Sequence, residues 1–351
     1  MYDASFSRPP FPGPGSRRSG SVFLLIVVLA LLPGEPRAHA LIPDTHASAQ
    51  PVISPPEQPS SGPGGRDYRF EDVASFHLGD SPAGAWIFAP DETTNVDRQN
   101  MPIVVFLHGF GATDSVTYQD WIDHLVRRGT VVIYPDYQDP GFLGRGQEAY
   151  LRNMFAGVGE ALALLGASPD RVHVVGHSLG GVLTAAYGAL APAVDLPPAS
   201  TLTIIEPGGC RNCGGQNAFG IPLPLTRQIS PDTQVRTVVG GDDSFVGDAD
   251  ARSIQQMLGD IPAGQKAFES IRSDDHGSPP LVADHLFPQT GRSGGETDAL
   301  DWFGLWRPLD ALMNCADRGL ECDIALGERD DHVPMGLWSD GTPVLPPDQV
   351  R

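Results

Sequence analysis

The sequence predicts an α/β fold, a mostly parallel central sheet with helices on both faces. Three observations carry this. Short continuous apolar runs such as 101–107, 130–134 and 201–205 have the pattern of strands buried on both sides. Segments with helical spacing, among them 117–128 and 147–165, alternate with those runs. Chemistry-bearing residues follow Leu107, Val175, Val239 and Arg272, at strand ends of the kind where ligands collect in such sheets.

Taken in order, 68–78 and 85–89 are two short edge strands, and 101–107 is a buried strand. Residues 117–128 form a helix with Trp121, Ile122 and Leu125 on one face. Strand 130–134 precedes a helix over 147–165, whose small and apolar face carries Ala149, Met154, Val158, Ala161 and Leu165. Residues 172–175 form a strand that runs into a glycine-rich turn, and 201–205 and 234–239 are further strands. A helix over 251–258 and a half-exposed late strand over 266–272 follow. The final helical segment, 298–314, bears Trp302, Leu305, Leu309 and Leu312, and Pro308 is expected to kink or split it.

The first part of the chain has a different character. Arg17-Arg18 precede an apolar run from Val22 to Leu32, then Pro33-Gly34 and the small-x-small pattern Ala38-His39-Ala40. Residues 1–40 are therefore expected to be a secretory signal, with a run too short for a permanent anchor. Residues 41–66, rich in Pro, Ser and Gly, are expected to be a disordered leader, and 67–351 one domain with a C-terminal helical extension. The expected product is secreted or periplasmic, monomeric and without a stable membrane span after cleavage.

The formal net charge is −20, and Lys266 is the single lysine. Such a surface cannot gather phosphates, which excludes nucleic acid as a partner. Export and an even count of four cysteines favour disulfides. The local pairs Cys210–Cys213 and Cys315–Cys322 are the first expectation, with a tetrathiolate zinc site as the alternative. A redox role for Cys210-Arg211-Asn212-Cys213 lacks the helix that such a motif opens.

The most informative stretch is Gly176-His177-Ser178-Leu179-Gly180, a G-x-S-x-G pattern between an apolar strand and a helix of small residues. The serine backbone is strained in such a turn, so its neighbours must stay small. The helix that starts beneath the serine offers free N–H groups to a developing negative charge.

Together with His108-Gly109-Phe110-Gly111-Ala112, Gly240-Gly241-Asp242-Asp243-Ser244-Phe245-Val246 and Asp275-His276-Gly277, this pattern resembles the α/β-hydrolase family. The resemblance is good over roughly 85–279 and is nearest to secreted esterases and to cutinase- or lipase-like hydrolases. It implies the α/β-hydrolase fold with a short cap region, and the chain order serine, acid, histidine. It also implies Ser178 as nucleophile, the N–H groups of Leu179 and Phe110 as oxyanion donors, and Asp243 as the acid by spacing, with Asp242 and Asp248 as rivals. Ser178 needs a base. His276, in a sharp polar loop after the late strand, is the first candidate. His285 ranks second because 282–284 looks helical, and His177 lies too close to the serine along the chain.

The expected activity is hydrolysis of a carboxylic ester through an acyl-enzyme, on a small-molecule, lipid or polyester substrate, with no cofactor and no metal. An acyltransferase or amidase on the same residues, or a non-catalytic binding protein on a hydrolase scaffold, are the alternatives.

Overall fold

Alternation along the buried strands builds two cores, one on each face of a single sheet. The computed structural model describes residues 52–91, 100–139, 147–166, 171–213, 220–223, 228–290, 295–327 and 334–350. The expected signal segment lies outside them. The sheet has the order β1-β2-β4-β3-β5-β6-β7-β8-β9. Strands β1 (Val73–Leu78) and β2 (Ala85–Pro90) form an antiparallel edge. β2 joins β4 antiparallel, and β3 (Ile103–Leu107), β4 (Val131–Pro135), β5 (Val172–His177), β6 (Thr201–Ile205), β7 (Gln234–Gly240) and β8 (Lys266–Ile271) pair in parallel. A short antiparallel β9 (Asp348–Gln349) closes the far edge.

Every residue of β3, β4 and β6 is buried. Successive side chains of β3 point to opposite faces, so Ile103, Val105 and Leu107 enter one core while Val104 and Phe106 enter the other. The first core is covered by α2 (Gln147–Leu165), through Met154, Val158 and Ala161, and by α3 (Leu179–Leu190). The second is covered by α1 (Gln119–Arg128), through Trp121, Ile122 and Leu125, and by α5 (Arg307–Arg318), through Leu309 and Met313. This is the predicted α/β-hydrolase architecture. Two shorter helices, α4 (Ala249–Met257) and α6 (Cys322–Leu326), complete the described set.

Three segments have boundaries with a physical reason, and the split expected at Pro308 is among them. β5 continues to His177 because Gly176 and His177 still pair with Ile204 and Ile205 of β6. The last helical segment divides at Pro308: residues Leu300–Trp306 wind as a wider π-type helix, and α5 starts afresh with Pro308 in its first turn. Proline has no N–H to give the preceding turn and is tolerated where none is needed. Residues 52–66 do not behave as a disordered leader. The Ile53 carbonyl accepts from Ser278 N at 2.8 Å, and Gly64 N donates to the buried Asp310 carboxylate at 2.8 Å. Backbone hydrogen bonds hold this stretch where apolar content alone would not, so composition understated its order.

Both local disulfides, Cys210–Cys213 and Cys315–Cys322, are present. Among the described residues, no helix is long and apolar enough to cross a membrane.

Candidate active site

The turn between β5 and α3 raises Ser178 above the sheet with φ 57° and ψ −119°. A non-glycine residue adopts that conformation only when its surroundings enforce it. Ser178 N donates to the Ile205 carbonyl at 2.9 Å. A Cβ at Gly180 would sit 1.9 Å from the Leu107 carbonyl oxygen, and one at Gly176 would sit 2.2 Å from the Gly180 carbonyl oxygen. Both glycines of the pattern are thus required by close backbone approach.

Ser178 Oγ lies 3.0 Å from Nε2 of His285, and His285 Nδ1 lies 2.8 Å from Asp243 Oδ2. The other Asp243 oxygen accepts from the backbone N–H groups of Phe245 at 2.9 Å and Val246 at 3.0 Å. With the imidazole donating from Nδ1 to the carboxylate, Nε2 is left to accept from the serine hydroxyl. Asp242 is exposed, and Asp248 pairs with Arg252 at 2.7 Å.

His276 is not at this site. Its Nε2 pairs with Asp340 at 2.8 Å and its ring packs edge-on against Trp338. The structure brings His285 rather than the expected His276 against Ser178, and the backbone shows why. Asp274 and Leu281 exchange backbone hydrogen bonds of 2.8 and 2.9 Å, so 275–280 form a loop that folds back on itself. Only after this return does the chain reach β7, where Asp242 N donates to the Ala283 carbonyl at 3.0 Å. Residues 282–284, which look helical in the sequence, instead lead into a turn over 285–288, and that turn delivers His285.

The segment after β3 is held by aromatic side chains. His108 is stacked on Tyr137 at 4.1 Å, and burial pushes its pKa down to about 4, so it organises the loop as a neutral ring. The Tyr137 hydroxyl donates to the His108 carbonyl and the Tyr134 hydroxyl to the Ala112 carbonyl. Phe110 and Leu179 line one cavity of about 510 Å³ with Ser178, His285, Phe245 and Leu286.

Beneath Ser178 runs a chain of neutral hydrogen bonds. Gly109 N donates to the Tyr118 hydroxyl at 3.0 Å, that hydroxyl donates to His177 Nδ1 at 2.8 Å, and His177 Nε2 donates to the His285 carbonyl at 3.0 Å. Burial lowers the His177 pKa to about 4 and pushes the Tyr118 phenol up, so both stay neutral. Glu206, at the end of β6, lies 3.2 Å from His177 Nε2. Burial, with the Asp243 charge adding to it, pushes this carboxyl well above the usual range. The contact is therefore between neutral groups and is not an ion pair. His177, Glu206 and His285 each place one potential ligand atom within 4.8 Å of the others. His285 Nδ1 already faces Asp243 at 2.8 Å, and we assign this group no metal.

The alpha/beta hydrolase family model matches residues 104–346. The chain belongs to the alpha/beta hydrolase family. No curated protein matches it. Among solved structures, esterase B from Lactobacillus rhamnosis is similar at 16% identity and a TM-score of 0.50, with 72% of this chain and 90% of that chain covered. MGS-M1, an alpha/beta hydrolase enzyme from a Medee basin deep-sea metagenome library, is similar at 15% identity and a TM-score of 0.46, covering 70% of this chain and 100% of that one. Carboxyl esterase 2 from the mycorrhizal fungus Tuber melanosporum is similar at 18% identity and a TM-score of 0.41, covering 57% and 77%. At these identities the likeness speaks for the fold alone.

Of the alpha/beta hydrolase residues expected at the site, Ser178, Asp243, Phe110 and Leu179 come together and His276 does not. Tyr118 and Glu206 were not anticipated. An acidic residue directly after the apolar strand 201–205 was the available signal for Glu206.

Proposed function

We propose that this chain is a serine-dependent carboxylic ester hydrolase working through an acyl-enzyme. The observation that carries the reading is the unbroken succession Ser178 Oγ, His285 and Asp243, at 3.0 and 2.8 Å, opening into one cavity. An unassisted hydroxyl is a poor nucleophile at neutral pH, and an imidazole at this distance can take its proton as the carbonyl is attacked. Asp243 holds the ring in the useful tautomer and stabilises the imidazolium. The N–H groups of Phe110 and Leu179 are assigned to the developing oxyanion. The imidazolium then gives its proton to the departing alkoxide, and the alcohol leaves. Water, deprotonated by His285, attacks the acyl-serine, and the proton returns to Ser178 as the acid is released.

The cavity mouth supports an acyl substrate with apolar bulk. Phe110 is 53% exposed, Phe245 81% and Leu286 44%, although each is apolar and all three line the cavity. This favours lipid-like or polyester esters of the cutinase- or lipase-like kind over small polar ones. Export to an oxidising compartment is part of the proposal, and the two disulfides support it.

The test is labelling with a fluorophosphonate probe, followed by a p-nitrophenyl ester chain-length series and a polyester film. Labelling that vanishes in Ser178→Ala, with turnover rising toward longer chains or film, is the expected result. Absence of both labelling and ester turnover at every chain length would instead favour a binding protein on this scaffold.

A further inference from the structure

Two carboxyl groups, from different strands, face one imidazole. Asp243 follows β7 and meets His285 Nδ1 at 2.8 Å. Glu206 ends the neighbouring strand β6, and its Oε2 lies 3.8 Å from the same nitrogen. We propose that Glu206 is a second carboxyl partner of His285, a positioning residue able to orient and stabilise the imidazole in place of Asp243. The proposal rests on the hydrolase reading above and deepens it.

The placement of Glu206 is specific. Its backbone takes φ 43°, a conformation rare outside glycine, and its N–H donates to the Val238 carbonyl at 2.8 Å. Its Oε1 accepts from Gly240 N at 3.1 Å, which anchors one carboxyl oxygen at the head of the Asp243 loop. The other oxygen is buried and has no hydrogen-bond partner among the described residues. A buried polar atom left unsatisfied is costly, and such atoms concentrate where a site has use for them. An ordinary core position at the end of a buried strand would hold an apolar residue.

The groups that face Glu206 are Tyr118 after β3, His177 from β5, Asp243 from the β7 loop, and Asp284 and His285 from the segment 282–288. Burial weighs first against a charge on Glu206, with the Asp243 charge adding to it, while Asp243 makes the closer contact with His285 and its other oxygen accepts from two backbone N–H groups. Removing Asp243 takes away its addition to the burial that raises the Glu206 pKa, while the attraction of a charged His285, which lowers that pKa, remains. Glu206 then loses its proton to solvent and presents the remaining charge to His285 Nδ1. No other reactant is needed.

The test is a double-mutant cycle on Asp243→Ala and Glu206→Gln, read on a p-nitrophenyl ester with Ser178→Ala as control. Alanine is used because an amide at 243 would donate to Nδ1 and impose the other tautomer. Glu206→Gln is expected to lower kcat by about tenfold or more in the Asp243→Ala background and by less than about threefold in the wild-type background, with KM held. In the Asp243→Ala background alone, it should also move the acid limb of the kcat/KM profile to lower pH, because the imidazole loses a neighbouring anion. The same factor in both backgrounds, with no movement of the acid limb, is what a purely structural role gives and overturns the proposal. If Glu206→Gln does not fold, Glu206→Asp carries the same comparison, since its shorter arm withdraws the carboxyl. Full turnover in Ser178→Ala would remove the hydrolase reading itself. An inactive Ser178→Ala with equal factors would remove only the role of Glu206.

Discussion

His177 Nε2 donates to the backbone carbonyl of His285 across 3.0 Å. The residue beside Ser178 therefore holds the main chain of His285. The same ring accepts from Tyr118, which is bound in turn to Gly109 N, so the β3 loop and the His285 turn share one hydrogen-bonded strut. Tyr118→Phe keeps the ring packing and removes the link. The expected result is a fall in kcat of about tenfold with KM little changed, since the loss is of alignment rather than substrate contact. Steady-state kinetics on a p-nitrophenyl ester decide it, and a rise in KM at constant kcat would mean that Tyr118 contacts substrate instead.

The two histidines after β8 should separate cleanly. His285→Ala is expected to reduce turnover by roughly 10³-fold or more, because the serine loses its base. His276→Ala removes a half-exposed pair with Asp340 and should stay within about threefold of wild type. Rates of burst-phase acylation for both variants provide the measurement. Equal losses would return His276 to consideration.

Among the aspartates of the β7 loop, Asp243→Asn should cost far more than Asp242→Asn or Asp248→Asn. Only Asp243 reaches His285, while Asp248 is engaged with Arg252. A loss of about 10²-fold or greater at 243, against less than about threefold at the others, is expected in kcat. The reverse ranking would reassign the acid.

Stability should fall on the acid side of neutrality. The rings of His108 and His177 are held neutral by burial, with pKa values lowered from 6.5 to about 4. As pH falls through that window, the unfolded chain takes up protons that the folded chain refuses, so each ring withdraws stability. Each contributes a slope of at most about 1.4 kcal/mol per pH unit. Urea unfolding of wild type and His108→Gln between these pH values isolates one ring, because other titrating groups cancel in the difference. A shallower slope in the variant is expected, and parallel slopes would show that His108 is not buried neutral.

The amino-acid sequence by itself determined the α/β layering, the strand ends that carry the site, and the serine turn, all of which rest on short-range rules. Continuous apolar runs must be buried on both faces, and Gly176 and Gly180 are imposed by backbone atoms within a few ångströms. A carboxylate after β7 was legible, with Asp243 put ahead of Asp242 and Asp248 only by the family resemblance, and the fold is what sets Asp243 against His285. The choice between His276 and His285 was not, because it depends on the Asp274–Leu281 pairing that turns 275–280 back before the chain returns to β7. The order in 52–66 escaped composition for a similar reason, since a carboxylate at 310 supplies a partner to Gly64 across the fold. Glu206 faces His285 only because β6 and β7 lie side by side. Tertiary structure decided these points because hydrogen-bond partners far apart in the chain leave no periodic trace in it.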